Sequence, residues 1–230
     1  MEAIVLAGGL GTRLRDVLPE LPKVMAPVAG RPFLEFVLAA LARKHFGRAV
    51  LSVGYMAEKV VDHFGKEFAG MQLTYEIETS PLGTGGATRR ALKRCEADHA
   101  FVLNGDTFFD IEAAKLEALW QRRHHPIVVA RQVVETQRYG RVYAENGNIV
   151  DFSPRGHDGP GMINAGCYVL PRNILDGVSP DEAFSLEADW LADAVTWQRF
   201  DLFVIEGLFI DIGTPEDYAR ADQLLAGVDV

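Results

Sequence analysis

The chain has 230 residues, with 23 Lys and Arg against 32 Asp and Glu, a formal charge of -9, and a hydrophobic share of 48%. A chain of that size buries roughly 70–75% of its unfolded surface, so one proper core is available, and the acidic balance disfavours a general nucleic-acid binder. The two cysteines, Cys95 and Cys167, form neither a disulfide framework nor a CxxC metal site. They read as small buried residues in a reducing, cytoplasmic setting. No signal peptide and no apolar run of about 20 residues is visible.

The first predicted element is a short β-branched strand at 4–7 that stops at Gly8, Gly9, Leu10, Gly11, Thr12 and Arg13. Glycines let a backbone approach a ligand closely, and successive N–H groups in such a loop can hold an anion. The loop is neither the dinucleotide fingerprint nor a P-loop. It reads either as a polyphosphate cradle or as a glycine-rich turn without ligand. Residues 22–27, bounded by Pro22 and Pro27, read as an extended segment carrying Lys23. A helix is expected from Pro32 to about Arg43, a strand at 49–53, a helix at 58–64 and a strand at 72–77. A second glycine-rich loop, from Glu78 through Gly83, Thr84, Gly85 and Gly86, is expected to lead into a helix over 87–97. A strand at 100–103 then stops at Asn104, Gly105 and Asp106.

Strand, loop and helix repeat, which predicts a parallel sheet covered by helices on both faces. Ligands in such sheets bind at the carboxyl ends of strands. Three candidate ligand segments fall at such ends: 8–13, 78–86 and 104–106.

The second half is less regular. A helix is expected at 112–123, a strand at 127–131, a hairpin formed by 139–144 and 149–152, and a mobile loop at 155–161. A strand at 162–170, a helix at 185–195, and strands at 202–205 and 209–212 follow. A last helix starts with Thr214 as N-cap and Pro215 in the first turn. No linker or repeat divides the chain. It reads as one compact domain with a C-terminal subregion.

Asp106 and Asp211 are carboxylates set in apolar runs at strand ends. Such charges are costly unless paired or bound to metal. Together they suit magnesium, which takes one or two protein carboxylates plus substrate phosphates; singly, each reads equally as a cap or a salt-bridge partner. Asp110 is expected to cap the helix at Glu112. Arg13 and Lys23 supply the local positive charge that an acidic phosphate binder needs. Arg138 and Arg141 reach either phosphate or solvent. His124 and His125 read as a helix C-terminal cap, and Trp120, Trp190 and Trp197 as packing residues.

Taken in order, these motifs resemble the sugar-1-phosphate nucleotidyltransferases over nearly the full length. The matching segments are Leu6 to Leu14, Pro22-Lys23, Pro81 to Ala87, Asn104-Gly105-Asp106 and Asp211 to Pro215. Leu103 to Asp110 and Pro32 to Phe36 look most like the short bacterial D-glycero-α-D-manno-heptose-1-phosphate guanylyltransferases, with mannose-1-phosphate guanylyltransferases as near relatives.

The resemblance implies an α/β, Rossmann-like fold of the nucleotide-diphospho-sugar transferase type. It implies 1–125 as the nucleotide-binding half and 126–230 as the sugar-phosphate-binding half, with a small β-rich C-terminal part. It also implies GTP, a sugar 1-phosphate and Mg2+ as ligands, and work in nucleotide-sugar supply for capsule or surface polysaccharide. Neither nucleic acid nor membrane is implied as a partner, and a homodimer is left open. By the same resemblance Leu6, Ala7, Gly8, Gly9, Gly11, Thr12, Arg13, Glu78, Gly83, Thr84 and Asn104 would bind the nucleotide. Arg13, Lys23 and Asp106 would be catalytic, and Asp106 and Asp211 would hold the metal. Gly105, Tyr139, Gly140, Arg155, Asn164 and Gly166 would bind the sugar phosphate.

There is one consequential departure. Many relatives place a Glu-Lys pair where this chain has Pro154-Arg155: the proline removes the acid, while Arg155 can replace the lysine. Glu78 stands where thymidylyl relatives carry a base-reading glutamine. As a carboxylate it can accept from guanine N1–H and N2–H, and it has no donor for the carbonyls of thymine or uracil.

Overall fold

The computed structural model describes residues 1–9, 11, 14, 18–154, 156–179 and 182–228. In chain order its strands are β1 (Glu2–Ala7), β2 (Pro27–Val28), β3 (Arg31–Pro32), β4 (Arg48–Val53), β5 (Glu67–Phe68), β6 (Met71–Ile77), β7 (His99–Asn104), β8 (Thr107–Phe109), β9 (Ile127–Val133), β10 (Arg141–Glu145), β11 (Asn148–Ser153), β12 (Gly161–Pro171), β13 (Asp201–Ile205) and β14 (Phe209–Asp211). The helices are α1 (Phe33–Arg43), α2 (Ala57–Phe64), α3 (Gly83–Leu92), α4 (Ala113–Arg123), α5 (Ala192–Trp197) and α6 (Pro215–Leu225).

Ten strands build one sheet in the order β10-β11-β13-β9-β12-β7-β1-β4-β6-β5. The expected parallel core is present: β7, β1, β4 and β6 run side by side in parallel. The sheet as a whole is mixed rather than mostly parallel, because β12 enters antiparallel between β7 and β9. The 141–153 hairpin is not a separate subregion. It extends the same sheet, with β10 also pairing β12 and β11 pairing β13.

Alternation along β1 shows the two faces. Ala3, Val5 and Ala7 join one buried cluster with α1, α2, α4 and α6, while Ile4 joins a second with α3, α5 and Phe200. Burial on both faces is what an apolar run such as Ile4 to Ala7 requires.

Several expected elements shift. The segment after Pro22 is not extended throughout: Lys23–Met25 forms a single 3-10 turn closed by Met25 N–H on Pro22 and Ala26 N–H on Lys23. Burial of Val24 and Met25 supplies its anchor. Helix α3 starts at Gly83, not Ala87, so the glycine-bearing end of the second loop, 83–86, is its first turn. Asp110 does not cap α4; it pairs with Lys44 at 2.9 Å, and the N-cap Glu112 makes no side-chain cap bond. The 185–195 helix is split into a π-helical turn, Leu186–Leu191, running into α5. Trp120 is buried and Trp190 packs edge-on to Phe200, but Trp197 is 62% exposed and donates its indole N–H to Asp193.

Other local signals hold. Thr214 caps α6 by accepting from Asp217 N–H, with Pro215 at the first helical position. His124 ends α4 in the left-handed region. Both cysteines are buried and free.

Candidate active site

Three parallel strands deliver their carboxyl ends to one place. After β1, Gly8 lies against the ends of β4 and β6. A Cβ there would overlap the Glu78 carboxylate and stand 3.3 Å from Gly54 N. Only a residue without a side chain allows the three loops to approach so closely. Glu78 follows β6, and its oxygens accept from Ser52 Oγ at 3.2 Å and from Leu82 N–H at 3.2 Å. Burial pushes its carboxyl up, against the lowering effect of those two donors.

The glycines at the start of α3 have a different reason. Gly83, at φ +69°, would set a Cβ against the Phe184 carbonyl, and Gly85 would set one against the Phe184 ring. Gly85 N–H donates to Phe184 O at 2.9 Å, and Phe184 N–H donates to Leu82 O at 3.0 Å. These glycines therefore admit a second chain segment, 182–186, which leads directly into Glu187 on the lining of the second cavity.

Lys23, at the 3-10 turn, and Asp106, after β7, form an ion pair with Nζ 2.6 Å from Oδ2. Asp211 reaches them from the distant end of the chain because β14 pairs with β8, setting Asp211 opposite Thr107. Gly213 N–H donates to Asp211 Oδ1 at 2.6 Å, and Ile212 N–H to Asp106 O at 3.0 Å. Burial first, and the Asp106 charge second, push the Asp211 carboxyl up to about 6, against the pull of Lys23. Two neighbouring carboxylates, one paired with Lys23 and the other within reach of its charge, make a donor set that fits a divalent cation. Among the described residues no cluster of three or more His, Cys, Asp or Glu offers an all-protein metal cage. The fit is therefore to an ion that also draws oxygen ligands from substrate.

Two cavities meet here. The first, about 270 Å³, is lined by the sequence-predicted Leu6, Ala7, Gly8, Gly9, Lys23, Glu78, Gly83, Thr84, Asn104 and Asp106. The second, about 290 Å³, is lined by the predicted Tyr139, Gly140, Asn164, Gly166 and Asp211, together with Pro154, Arg138 and Glu187. Thr84 and Asn104 line both. Asn104 Oδ1 is a buried acceptor with no hydrogen-bond partner among the described residues, which suits a polar ligand at this junction.

Two placements differ from expectation. Gly105 lines neither cavity; its N–H holds Leu6 O at 2.9 Å and locks β7 to β1. Gly11 packs against the Lys23 stem instead of lining the first cavity. Thr12, Arg13 and Arg155 lie outside the described residues.

Glu187 is the functional candidate that sequence reasoning missed. Its Oε2 accepts from Thr84 Oγ1 at 2.6 Å and from Ser185 Oγ at 3.1 Å, and its Oε1 accepts from Tyr168 OH at 2.9 Å. Asn164 Nδ2 donates to the same Tyr168 oxygen at 2.5 Å. A register shift in β12 between Asn164 and Cys167, around Gly166 at φ +68°, marks the strand at this point; bulges recur next to active sites. In the sequence Glu187 is one of two acids in the first turn of a helix, and nothing there separates it from a dipole-compensating residue.

The sequence profile described as nucleotidyl transferase matches residues 2–227. The chain belongs to that family. As a nucleotidyltransferase it is 36% identical to the D-glycero-α-D-manno-heptose 1-phosphate guanylyltransferase of Aneurinibacillus thermoaerophilus over 98% of both chains. It is 38% identical to the enzyme of that name from Campylobacter jejuni, over 95% of this chain and 97% of that one. A mannose-1-phosphate guanylyltransferase from Mycobacterium tuberculosis is 34% identical across 99% of this chain, which spans 66% of that protein. Among solved structures, HddC from Yersinia pseudotuberculosis superposes with a TM-score of 0.87 at 34% identity, covering 97% of this chain and 99% of that one. The same protein has been solved complexed with GMP-PN. A UDP-glucose pyrophosphorylase at 19% identity and TM-score 0.79, covering 97% of both chains, shares the fold.

Proposed function

We propose that this nucleotidyltransferase moves GMP from GTP to D-glycero-α-D-manno-heptose 1-phosphate, releasing pyrophosphate and GDP-heptose for capsule or surface polysaccharide. The observation that carries this reading is the pair of cavities sharing Thr84 and Asn104, with Lys23, Asp106 and Asp211 between them. Two full-length relatives carry that activity in their names. The mannose-1-phosphate enzyme, the second reading, matches with a third of its own length left over.

The first cavity, formed by residues of the 1–125 half, takes GTP. The second draws mainly on the 126–230 half and takes the sugar phosphate. A phosphate monoester has its second pKa near 6 and is mostly dianionic at neutral pH, so no general base is required. One of its oxygens attacks the α-phosphorus in line. The new P–O bond forms as the bond from the α-phosphorus to the bridging oxygen breaks, and the electron pair leaves on pyrophosphate. Lys23, already seated beside Asp106, lowers the repulsion between the two anions and stabilises the charge that develops. Asp106 and Asp211 would hold Mg2+, which supplies further charge neutralisation at the phosphates. Glu78, fixed by Ser52 and Leu82, accepts from guanine N1–H and N2–H. Free buried thiols and nucleotide substrates support a cytoplasmic setting.

A matrix of nucleoside triphosphates against sugar 1-phosphates, with magnesium and scored by pyrophosphate release, tests the proposal. GTP with the heptose phosphate is expected to be the best pair. Release with mannose 1-phosphate but none with heptose 1-phosphate selects the second reading. Glu78→Gln tests the base argument: its turnover with dTTP or UTP is expected to rise relative to GTP, and an unchanged preference removes Glu78 from it.

A further inference from the structure

The acceptor cavity has a charge problem. Its described lining carries two carboxylates, Asp211 and Glu187, and a single cation, Arg138. A phosphate dianion entering it needs positive charge on its own side, because Lys23 lines the first cavity and is engaged by Asp106.

We propose that Arg138 is the anchor for the acceptor's phosphate, and that Asp217 is the residue that positions it. This rests on reading the second cavity as the sugar 1-phosphate site. Arg138 sits on the turn before Tyr139, and its guanidinium lies 5.8 Å from that ring's centroid. Its Nη2 donates to Asp217 Oδ2 and, at 3.4 Å, to Thr214 Oγ1 at the start of α6. A guanidinium has five N–H donors in a planar fork. The two bonds engage Nη2, so Nε and Nη1 carry the donors that suit a phosphate. The side chain is about half exposed, at 48%.

The ion pair does not cancel the charge. Asp217, 8% exposed, also faces Arg220, with Oδ1 3.7 Å from Nη1. Two guanidiniums share one carboxylate, and the group keeps a net charge of +1. The buried acid fixes the geometry, while the arginine presents its remaining donors to the cavity. Burial raises the Asp217 carboxyl, but the Arg138 and Thr214 bonds outweigh it and hold the group below the usual range. It therefore stays ionised and keeps its hold at neutral pH.

Arg138→Gln, Arg138→Lys, Asp217→Asn and Arg155→Gln test the assignment by steady-state kinetics. Losing a charge-assisted contact to phosphate is expected to raise the KM for the sugar 1-phosphate about 10- to 100-fold in Arg138→Gln. Arg138→Lys, which keeps the charge but not the fork, should fall between wild type and Arg138→Gln. Asp217→Asn should move the same KM by a smaller factor, and the KM for GTP should stay within about twofold in all three.

An independent readout is orthophosphate binding, followed by thermal shift with a non-hydrolysable GTP analogue filling the first cavity. The Arg138→Gln protein should bind phosphate at least about tenfold more weakly than wild type. Equal phosphate affinity overturns the proposal. So does an acceptor KM that moves in Arg155→Gln but not in Arg138→Gln. Wild-type protein that turns over no pair sinks the functional reading alone, and the phosphate titration still decides Arg138.

Discussion

The two cavities are built by opposite means. The first is made at the ends of β1, β6 and β7, within the first 106 residues, and main-chain closeness dominates it: Gly8 abuts Gly54 and the Glu78 carboxylate. The second is assembled from side chains on elements scattered between Thr84 and Asp211. A ligand held by backbone at strand ends tolerates few changes in the residues that form it. A ligand held by Arg138, Glu187 and Asn164 can be exchanged by substituting single side chains. On the proposed reading, nucleotide contacts come mainly from the first half and acceptor contacts mainly from the second, with Asp211 crossing to the shared centre.

The strongest way to break that division is at the shared centre. Asp106→Asn should lower kcat by about 10²- to 10³-fold with both substrates saturating, because the carboxylate that pairs with Lys23, and that is proposed to hold the metal, loses its charge. GTP binding, followed by fluorescent-nucleotide titration, should survive. If GTP binding is lost with it, Asp106 belongs to the nucleotide cavity alone.

Next comes the backbone contact. Gly8→Ala would force the Glu78 carboxylate aside. About 10²-fold in kcat/KM for GTP is the expected cost, since a displacement near 1 Å at a reacting site has that order of effect. The KM for the acceptor should be unchanged, and a matching rise there would erase the distinction between the cavities.

The pH response sharpens the centre further. With its pKa pushed to about 6, Asp211 holds a proton that a divalent cation must displace. Magnesium or manganese affinity should therefore fall about tenfold per pH unit below 6 and level off above it. In chelator the sign reverses for stability. The folded state keeps the proton that the unfolded chain releases near pH 4, so this group's contribution declines as pH rises from about 4 to about 6. Asp211→Asn should remove that decline and melt higher than metal-free wild type above pH 6. A difference between the two proteins that does not vary with pH overturns the assignment.

The smallest expected effect is at Glu187. Glu187→Gln keeps the shape but weakens three bonds that link Thr84 to Tyr168. About a tenfold loss in kcat/KM for the acceptor is expected, with a smaller loss for GTP. Equal losses for both substrates would make Glu187 a tie between halves instead of an acceptor-side residue.

How far each cavity could be read from sequence follows from the same contrast. The glycine loops, Lys23 and Asp106 sit in contiguous motifs, so their types and spacing carried the signal, and the first cavity contains most of them. Even there the motif does not show that Gly85 accommodates Phe184, a residue about a hundred positions later. Pro154 was visible as a missing acid, but no local pattern showed that Glu187 and Arg138 line the same cavity.

By itself the sequence determined the strand–helix alternation of the first hundred residues, the capped last helix, the buried thiols and the chemical inventory of a phosphate-handling site. Those depend on local periodicity, φ preferences and charge, which neighbours along the chain fix. Tertiary structure alone decided that β12 enters the sheet antiparallel, and that β14 carries Asp211 to Asp106 by pairing with β8. It also decided that segment 182–186 seats on the start of α3, with Glu187 bonded to Thr84. Each of these joins residues from more than sixty to about a hundred positions apart, and such contacts are set by how whole surfaces pack, which no window of the chain contains.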